Sequence, residues 1–226
     1  APSPIPFSNH SPVPIEMNTS AIKGFLQSYK AATQRALEAG FKILEVHAGN
    51  GYLLHQFYSG LANQRNDRYG GSFDNRIKLL IEVVQTVKQV WPEDYPLLIR
   101  IAARDWADDP YAWSLEQTIE LCQRLEKEGV DLIDPVSGFV VPEENIPFAP
   151  GFQVPFSAAI KQATKMLVGA VGGITLPNQA NKIIQDDQAD LIIIARELLR
   201  NPYFPIEAAK ALAEEITIPD QYLRGF

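Results

Sequence analysis

The chain has 226 residues, 46% of them apolar, and a formal net charge of -7 from 20 Lys and Arg against 27 Asp and Glu. That length and apolar content suffice for a large buried core in one domain or two small ones, which excludes a disordered chain. Scattered basic residues exclude a nucleic-acid or anionic-membrane surface, and a single cysteine, Cys122, excludes an internal disulfide, an iron–sulfur cluster and a cysteine-based zinc site.

No run reaches the roughly 18–20 apolar residues that a membrane span needs, and the start of the chain lacks the basic and apolar parts of a signal peptide. A cytoplasmic location and small-molecule partners are therefore expected, with no nucleic acid and no membrane. Residues 1–17 hold five prolines and little periodicity, so they read as an extended connector loop before a domain spanning 18–226. Asn18 to Ser20 supply helix caps, and Ile22, Phe25, Leu26, Tyr29, Ala32, Ala36 and Leu37 recur at helical spacing until Gly40. From there strand and helix alternate. Strands are expected at 41–47, 97–102, 130–136, 167–171 and 190–195. Helices are expected near 74–91, 114–128, 156–164, 177–186 and 204–215.

The strands are short continuous apolar runs, KILEV, PLLIRI, VDLID, MLVGAV and DLIIIA, as expected of parallel strands covered on both faces. Alternation of this kind indicates an α/β fold with right-handed crossovers. A doubly wound sheet would place a G-x-G-x-x-G turn after an early strand, and none is present. A TIM (β/α)8 barrel places its chemistry at the C-terminal ends of several strands. His47 and Asn50, Arg100, Ser137 and Gly138, residues 169–173 and Arg196 all sit at such ends. Only five strand–helix units are present, however, where a closed barrel needs eight.

Glycines after one strand and Arg196 after the next form a candidate phosphate clamp; the bland alternative is a turn that needs positive φ beside a surface arginine. Arg100 interrupts an apolar strand and must meet an anion, either a bound heterocycle or an internal carboxylate such as Glu45 or Asp134. His47, Asn50 and Tyr52 fall within six positions at one strand end. Two donors can grip one oxygen while a phenol delivers a proton, which suggests carbonyl polarisation followed by protonation; the alternative is a satisfied structural histidine. As metal ligands, His47 and His55 lack a third partner, and no metal is expected.

The run EVHAGNGYLLHQF followed by ANQRNDRYGGSFDNR resembles the Old Yellow Enzyme family of FMN-dependent ene-reductases, and PLLIRI, VDLID, PGFQVPF, GAVGGIT and ADLIIIARELLRNPYF continue the likeness in order. The ending QYLRGF is similar to that of the short, thermophilic-like class. The resemblance implies strands four to eight of a TIM barrel, FMN as cofactor and NAD(P)H as reductant of an activated alkene. His47 and Asn50 would hold the substrate's oxygen and Tyr52 would protonate its Cα, while His55 is demoted to a helix-side structural residue. Arg100 would lie against the flavin's N1/O2 edge. Ser137, Gly138, Gly169, Gly172, Gly173, Ala195 and Arg196 would line the cofactor site. Arg224 would reach the substrate site of a neighbouring copy in a homo-oligomer. Two local departures stand out: Ala195 replaces the family's usual glycine, and Pro135 in barrel strand six predicts a local bulge. The family's first three strands have no counterpart, so a separate or covalent N-terminal barrel half is an expected partner. The competing function is a non-catalytic half barrel, either assembling with itself or serving as a binding module for phosphorylated ligands. A dihydroorotate-dehydrogenase-like barrel would share the clamp but has no use for the His47, Asn50, Tyr52 trio.

Overall fold

The computed structural model describes residues 1–225; Phe226, the last residue of QYLRGF, lies outside the described residues. The first helix, α1 (Thr19–Glu38), starts where the Asn18 side chain accepts the Ala21 N–H at 2.9 Å, satisfying one of the free donors of the first turn. Strand β1 (Leu44–Ala48) begins three residues later than the apolar run suggests, because Phe41 and Ile43 are exposed. A short helix α2 (Leu53–Tyr58) then precedes α3 (Phe73–Lys88), β2 (Leu97–Ala102), α4 (Leu115–Lys127), β3 (Leu132–Val136) and α5 (Val154–Ala163). The chain continues through β4 (Leu167–Val171), α6 (Pro177–Gln185), β5 (Leu191–Ile193), α7 (Arg196–Arg200), α8 (Phe204–Ala211) and a 3-10 turn at Asp220–Gly225. Serines cap α3 and α4, the latter by a reciprocal Ser114–Gln117 capping box.

Among the described residues the strands form one parallel sheet in sequence order, β1-β2-β3-β4-β5. That order is the wall of a barrel, opened by the lack of strands beyond β1 and β5, and it matches the five units expected. Expected coverage on both faces is realised in β3, all five residues of which are buried, and lost toward the edge of the sheet. In β1 the residues Val46 and Ala48 are buried while Glu45 and His47, on the inner face, are only partly covered. The outer face carries Leu97, Ile99 and Ile101 into a core shared with α1, α3 and α4, where Leu79, Leu80, Val83, Val84, Leu121 and Leu125 are fully or almost fully buried.

Pro135 does not produce the expected bulge. It stays in register opposite Ile101 of β2, and the interruption falls on the other side, where pairing with β4 ends at Ile133. The N-terminal stretch is tied to the domain. The buried Arg65 guanidinium donates to the Pro2 and Met17 carbonyls, both at 2.8 Å, closing the two ends of the loop on one side chain. Among the described residues no helix is long and apolar enough to cross a membrane, and no group of three or more His, Cys, Asp or Glu could hold a metal ion.

Candidate active site

The C-terminal ends of the strands converge on one rim of the sheet. At the end of β1 the chain reverses in four residues: Tyr52 N–H donates to the Gly49 carbonyl at 3.1 Å, and Asn50 and Gly51 have φ of 52° and 74°. Two left-handed central residues define a type I′ turn, and Asn-Gly is the sequence that such a turn favours. No other residue fits at Gly51, whose added Cβ would lie 1.8 Å from the Phe139 carbonyl oxygen. The turn sets Tyr52 at the start of α2, with its ring centroid 5.1 Å from that of His47 at 63° between planes. Behind the turn, the Tyr58 hydroxyl donates to Ala48 O at 2.6 Å and accepts from Ala102 N–H at 2.8 Å, pinning the ends of β1 and β2 together.

His47 takes the Gly49 N–H on Nδ1 at 3.4 Å, which leaves Nε2 to carry the proton. Burial, reinforced by the Arg100 guanidinium, pushes its pKa below the usual histidine value, against a smaller opposing pull from Asp134. His47 is therefore neutral at neutral pH and a hydrogen-bond donor from Nε2. Tyr52 is 62% exposed. The arrangement offers an imidazole N–H, an amide and a phenol around one turn, which suits gripping an oxygen and supplying a proton.

The sheet register extends this group sideways, because His47 lies opposite Arg100, and Arg100 opposite Asp134. Arg100 meets an internal anion: its Nε donates to Asp134 Oδ2 at 2.6 Å and lies 3.5 Å from Glu45. Asp134 is completely buried, and among the described residues its Oδ1 has no donor other than a protonated Glu45 carboxyl. Burial, then repulsion from Asp134, raises the Glu45 pKa; burial raises that of Asp134 against the pull of Arg100. Two carboxyls beside one guanidinium favour a single proton held between them. Among the described residues only the Nε of Arg100 is committed, so its two terminal nitrogens remain available at the rim.

A second group lies at the ends of β4 and β5. Gly172, Gly173, Thr175, Ala195 and Arg196 line a hollow of about 230 Å³. Gly173 has φ 65°, and a Cβ there would sit 2.6 Å from the Ala149 carbonyl oxygen, so the backbone can make this loop only with glycine. Arg196 opens α7 and is exposed. Left-handed glycines that free backbone N–H groups, set beside a guanidinium, fit a phosphate monoester such as that of FMN.

Three other expected cofactor residues sit differently. Gly169 is inside β4, paired with Leu191, and its missing side chain makes room for Ile193. Ser137 is buried and donates to Gln153 Oε1 at 3.0 Å, while Gln153 Nε2 donates to the Val171 carbonyl at 3.1 Å. Gly138 N–H donates to the Arg104 carbonyl at 2.9 Å. Ser137 and Gly138 build the rim, and Gly169 packs the strand beneath it. Arg224 lies in the exposed 3-10 turn at the end of the described chain.

Sequence reasoning missed a buried group beneath the Asn50 turn. His55 Nδ1 accepts the Gly51 N–H at 2.9 Å and its Nε2 meets Asp105 Oδ1 at 2.8 Å; the other Asp105 oxygen accepts from Ser59 Oγ at 2.7 Å and Trp113 N–H at 2.8 Å. The only sequence signal was a histidine in a short, mostly apolar six-residue helix, and Asp105 lies 50 positions away.

Comparisons with known proteins converge on one family. The profile of the NADH:flavin oxidoreductase / NADH oxidase family matches residues 2–215. An NADPH dehydrogenase of Listeria innocua is 45% identical over 226 residues, as is one of Bacillus subtilis strain 168. This chain is covered completely in both cases but spans only 65% of the length of those relatives. Among solved structures, morphinone reductase in complex with tetrahydroNAD superposes with a TM-score of 0.76 at 25% identity, over 97% of this chain and 61% of that one. A 2-naphthoyl-CoA reductase complex reaches a TM-score of 0.86 at 25% identity, over 93% and 32%. The matched family brings FMN as cofactor and NAD(P)H as reductant. By its profile, its relatives and its sheet, the chain belongs to the NADH:flavin oxidoreductase / NADH oxidase family, of the Old Yellow Enzyme type.

Proposed function

We propose that this chain carries the substrate side of an FMN-dependent ene-reductase, which reduces the C=C bond of α,β-unsaturated carbonyl compounds. The observation that carries the reading is the grouping of a neutral His47 at the end of β1, in register with Arg100, with Asn50 and Tyr52 on the turn that follows it. Nε2–H of His47 and the Asn50 amide would hold the carbonyl oxygen and draw electron density from the alkene, making the β-carbon electrophilic. Bound FMN would supply the hydride that this carbon accepts, having taken it from NAD(P)H. Tyr52 would then give its phenolic proton to the α-carbon, and solvent can reprotonate it because the side chain is exposed. Hydride and proton together add one H₂ across the double bond, so the electrons balance.

Arg196 and the Gly172–Gly173 backbone would hold the FMN phosphate, and the terminal nitrogens of Arg100 would face the ring edge where reduction builds negative charge. Asp134 and Glu45, 2.6 and 3.5 Å from its Nε, would hold Arg100 in place for that purpose. Strands β1 and β5 both present unpaired edges, a liability that the remaining barrel strands would remove. We therefore assign the N-terminal barrel half as the required partner, and Arg224 as the residue offered to a second copy. The likeness to morphinone reductase supports the unsaturated-carbonyl class.

Anaerobic single-turnover absorbance tests the reading in two half-reactions on the FMN-loaded assembly. NADPH should bleach the flavin, and cyclohex-2-enone should restore its colour. Bleaching by NADPH with no recovery on adding the enone would contradict the ene-reductase assignment.

A further inference from the structure

We infer that His55 and Asp105 position the Asn50–Tyr52 turn by holding one imidazole tautomer, a role that rests on the functional reading of that turn given above. The geometry allows a single proton arrangement. Nδ1 of His55 faces a backbone donor, the Gly51 N–H, at 2.9 Å, so it must be the lone-pair nitrogen. The proton therefore sits on Nε2 and is donated to Asp105 at 2.8 Å. Asp105 can only accept in this setting, since its second oxygen takes the Ser59 hydroxyl and the Trp113 N–H. His55, Ser59 and Asp105 are all buried, with 1% exposure at most, so water is poorly placed to replace any of these bonds.

The turn has no slack. Gln56 Nε2 donates to the Gly51 carbonyl at 2.7 Å, so adjacent side chains of α2 hold both polar groups of Gly51. The Phe139 carbonyl blocks the opposite side at the one position where only glycine fits. Asn50 and Tyr52 flank Gly51, so their placement follows the His55–Gly51 bond. The same three residues do not form a nucleophilic triad, because the Ser59 hydroxyl bonds Asp105 and not His55, and the whole group is shut away from solvent.

Asp105→Asn discriminates this role from simple packing. The amide oxygen must stay on Ser59 and the Trp113 N–H, which turns the NH₂ toward Nε2, forces the proton onto Nδ1 and sets two donors against each other at Gly51. Ser59→Ala removes a bond to the same carboxylate but leaves the tautomer alone. The measurements are ¹⁵N histidine spectra, with His55 assigned by signal loss in His55→Gln, hydrogen exchange at the Gly51 amide, and enone kinetics. All use the holoenzyme, the chain assembled with FMN and the N-terminal barrel half.

The wild type should show an unprotonated Nδ1 and a protected Gly51 amide. Asp105→Asn should move the proton to Nδ1, expose Gly51 and lower kcat/KM for cyclohex-2-enone by about 10- to 100-fold, with flavin reduction by NADPH unchanged. Ser59→Ala should leave tautomer and turnover as they are. A protonated Nδ1 in the wild type overturns the inference without any variant, as does an unchanged Gly51 amide in Asp105→Asn or an equal loss in Ser59→Ala. If tautomer and protection behave as stated but the wild type never reduces the enone, the positioning of the turn stands and the ene-reductase reading falls.

Discussion

The two ends of the sheet differ in how they are held. Strands β1 to β3 back onto a continuous core in which Ile99, Ile101, Leu79, Val83, Leu121 and Leu125 have no exposure. At the other end, β5 is three residues long, Leu191 is 46% exposed, α7 has no fully buried residue, and among the described residues the local core is the small cluster of Val154, Ala170, Ile174, Ile183 and Ala189. The proposed oxygen grip and proton donor sit on the first region and the candidate phosphate hollow on the second. On that reading, chemistry that needs fixed atoms stands on packed strands, while the cofactor's phosphate would sit at the thinly packed end.

The contrast can be broken or sharpened by substitution. Ile99→Ala in the centre of β2 should cost about 2–5 kcal/mol in urea unfolding, the range for emptying a packed aliphatic site, whereas Leu191→Ala should cost about 0.5 kcal/mol in this chain. Adding the N-terminal barrel half should raise the second figure and not the first. Equal costs in the isolated chain would erase the distinction.

Tyr52→Phe should slow reoxidation of the reduced flavin by cyclohex-2-enone by about 10²–10⁴-fold, the usual worth of a positioned general acid, while NADPH reduction proceeds normally in stopped flow. An unchanged enone step would remove Tyr52 from the chemistry. Arg196→Ala acts on the thin end alone: FMN affinity should weaken by about 10- to 150-fold, or about 1.5–3 kcal/mol for lost charged hydrogen bonds, with the enone step intact once flavin is saturating. Equilibrium dialysis of FMN reads this directly.

The smallest effect concerns Glu45 and Asp134. Both carboxyls are raised, chiefly by burial, so the folded chain binds more protons than the unfolded one above the ordinary carboxylate range. The pair's contribution to stability therefore falls as pH rises through that window. Glu45→Gln keeps a donor toward Asp134 and should stabilise the chain near neutrality, with the gain vanishing as pH drops below the ordinary carboxylate range. A gain independent of pH, followed by unfolding midpoints, would show that the two carboxyls do not share a proton.

Much of the fold was legible because the parallel strands are short apolar runs, several of them bounded by glycine. Sequence failed where spatial neighbours decide. Gly169 falls inside the expected strand 167–171 and also reads as the first of the clamp glycines; only the pairing with β5 shows that its missing side chain admits Ile193. Asp134 reads as one of two possible partners for Arg100, and only the register of β2 and β3 selects it. Helix α2, six residues after a type I′ turn, is too short to show a period. Asn50 carries a double signal, since an Asn-Gly turn and an oxygen grip both call for that residue. His55 reads as a structural histidine and is one, but Asp105, the partner that gives it a defined tautomer, is beyond any local pattern.

The central claim is that this chain supplies one part of a flavin site and needs the other barrel strands to complete it. Visible absorbance of bound flavin, recorded after desalting with and without the N-terminal barrel half, tests it most directly. Little FMN should stay with the chain alone, and one FMN should bind per assembled pair, reducible by NADPH and reoxidised by cyclohex-2-enone. Full retention of FMN and full turnover by the 226-residue chain alone would contradict it.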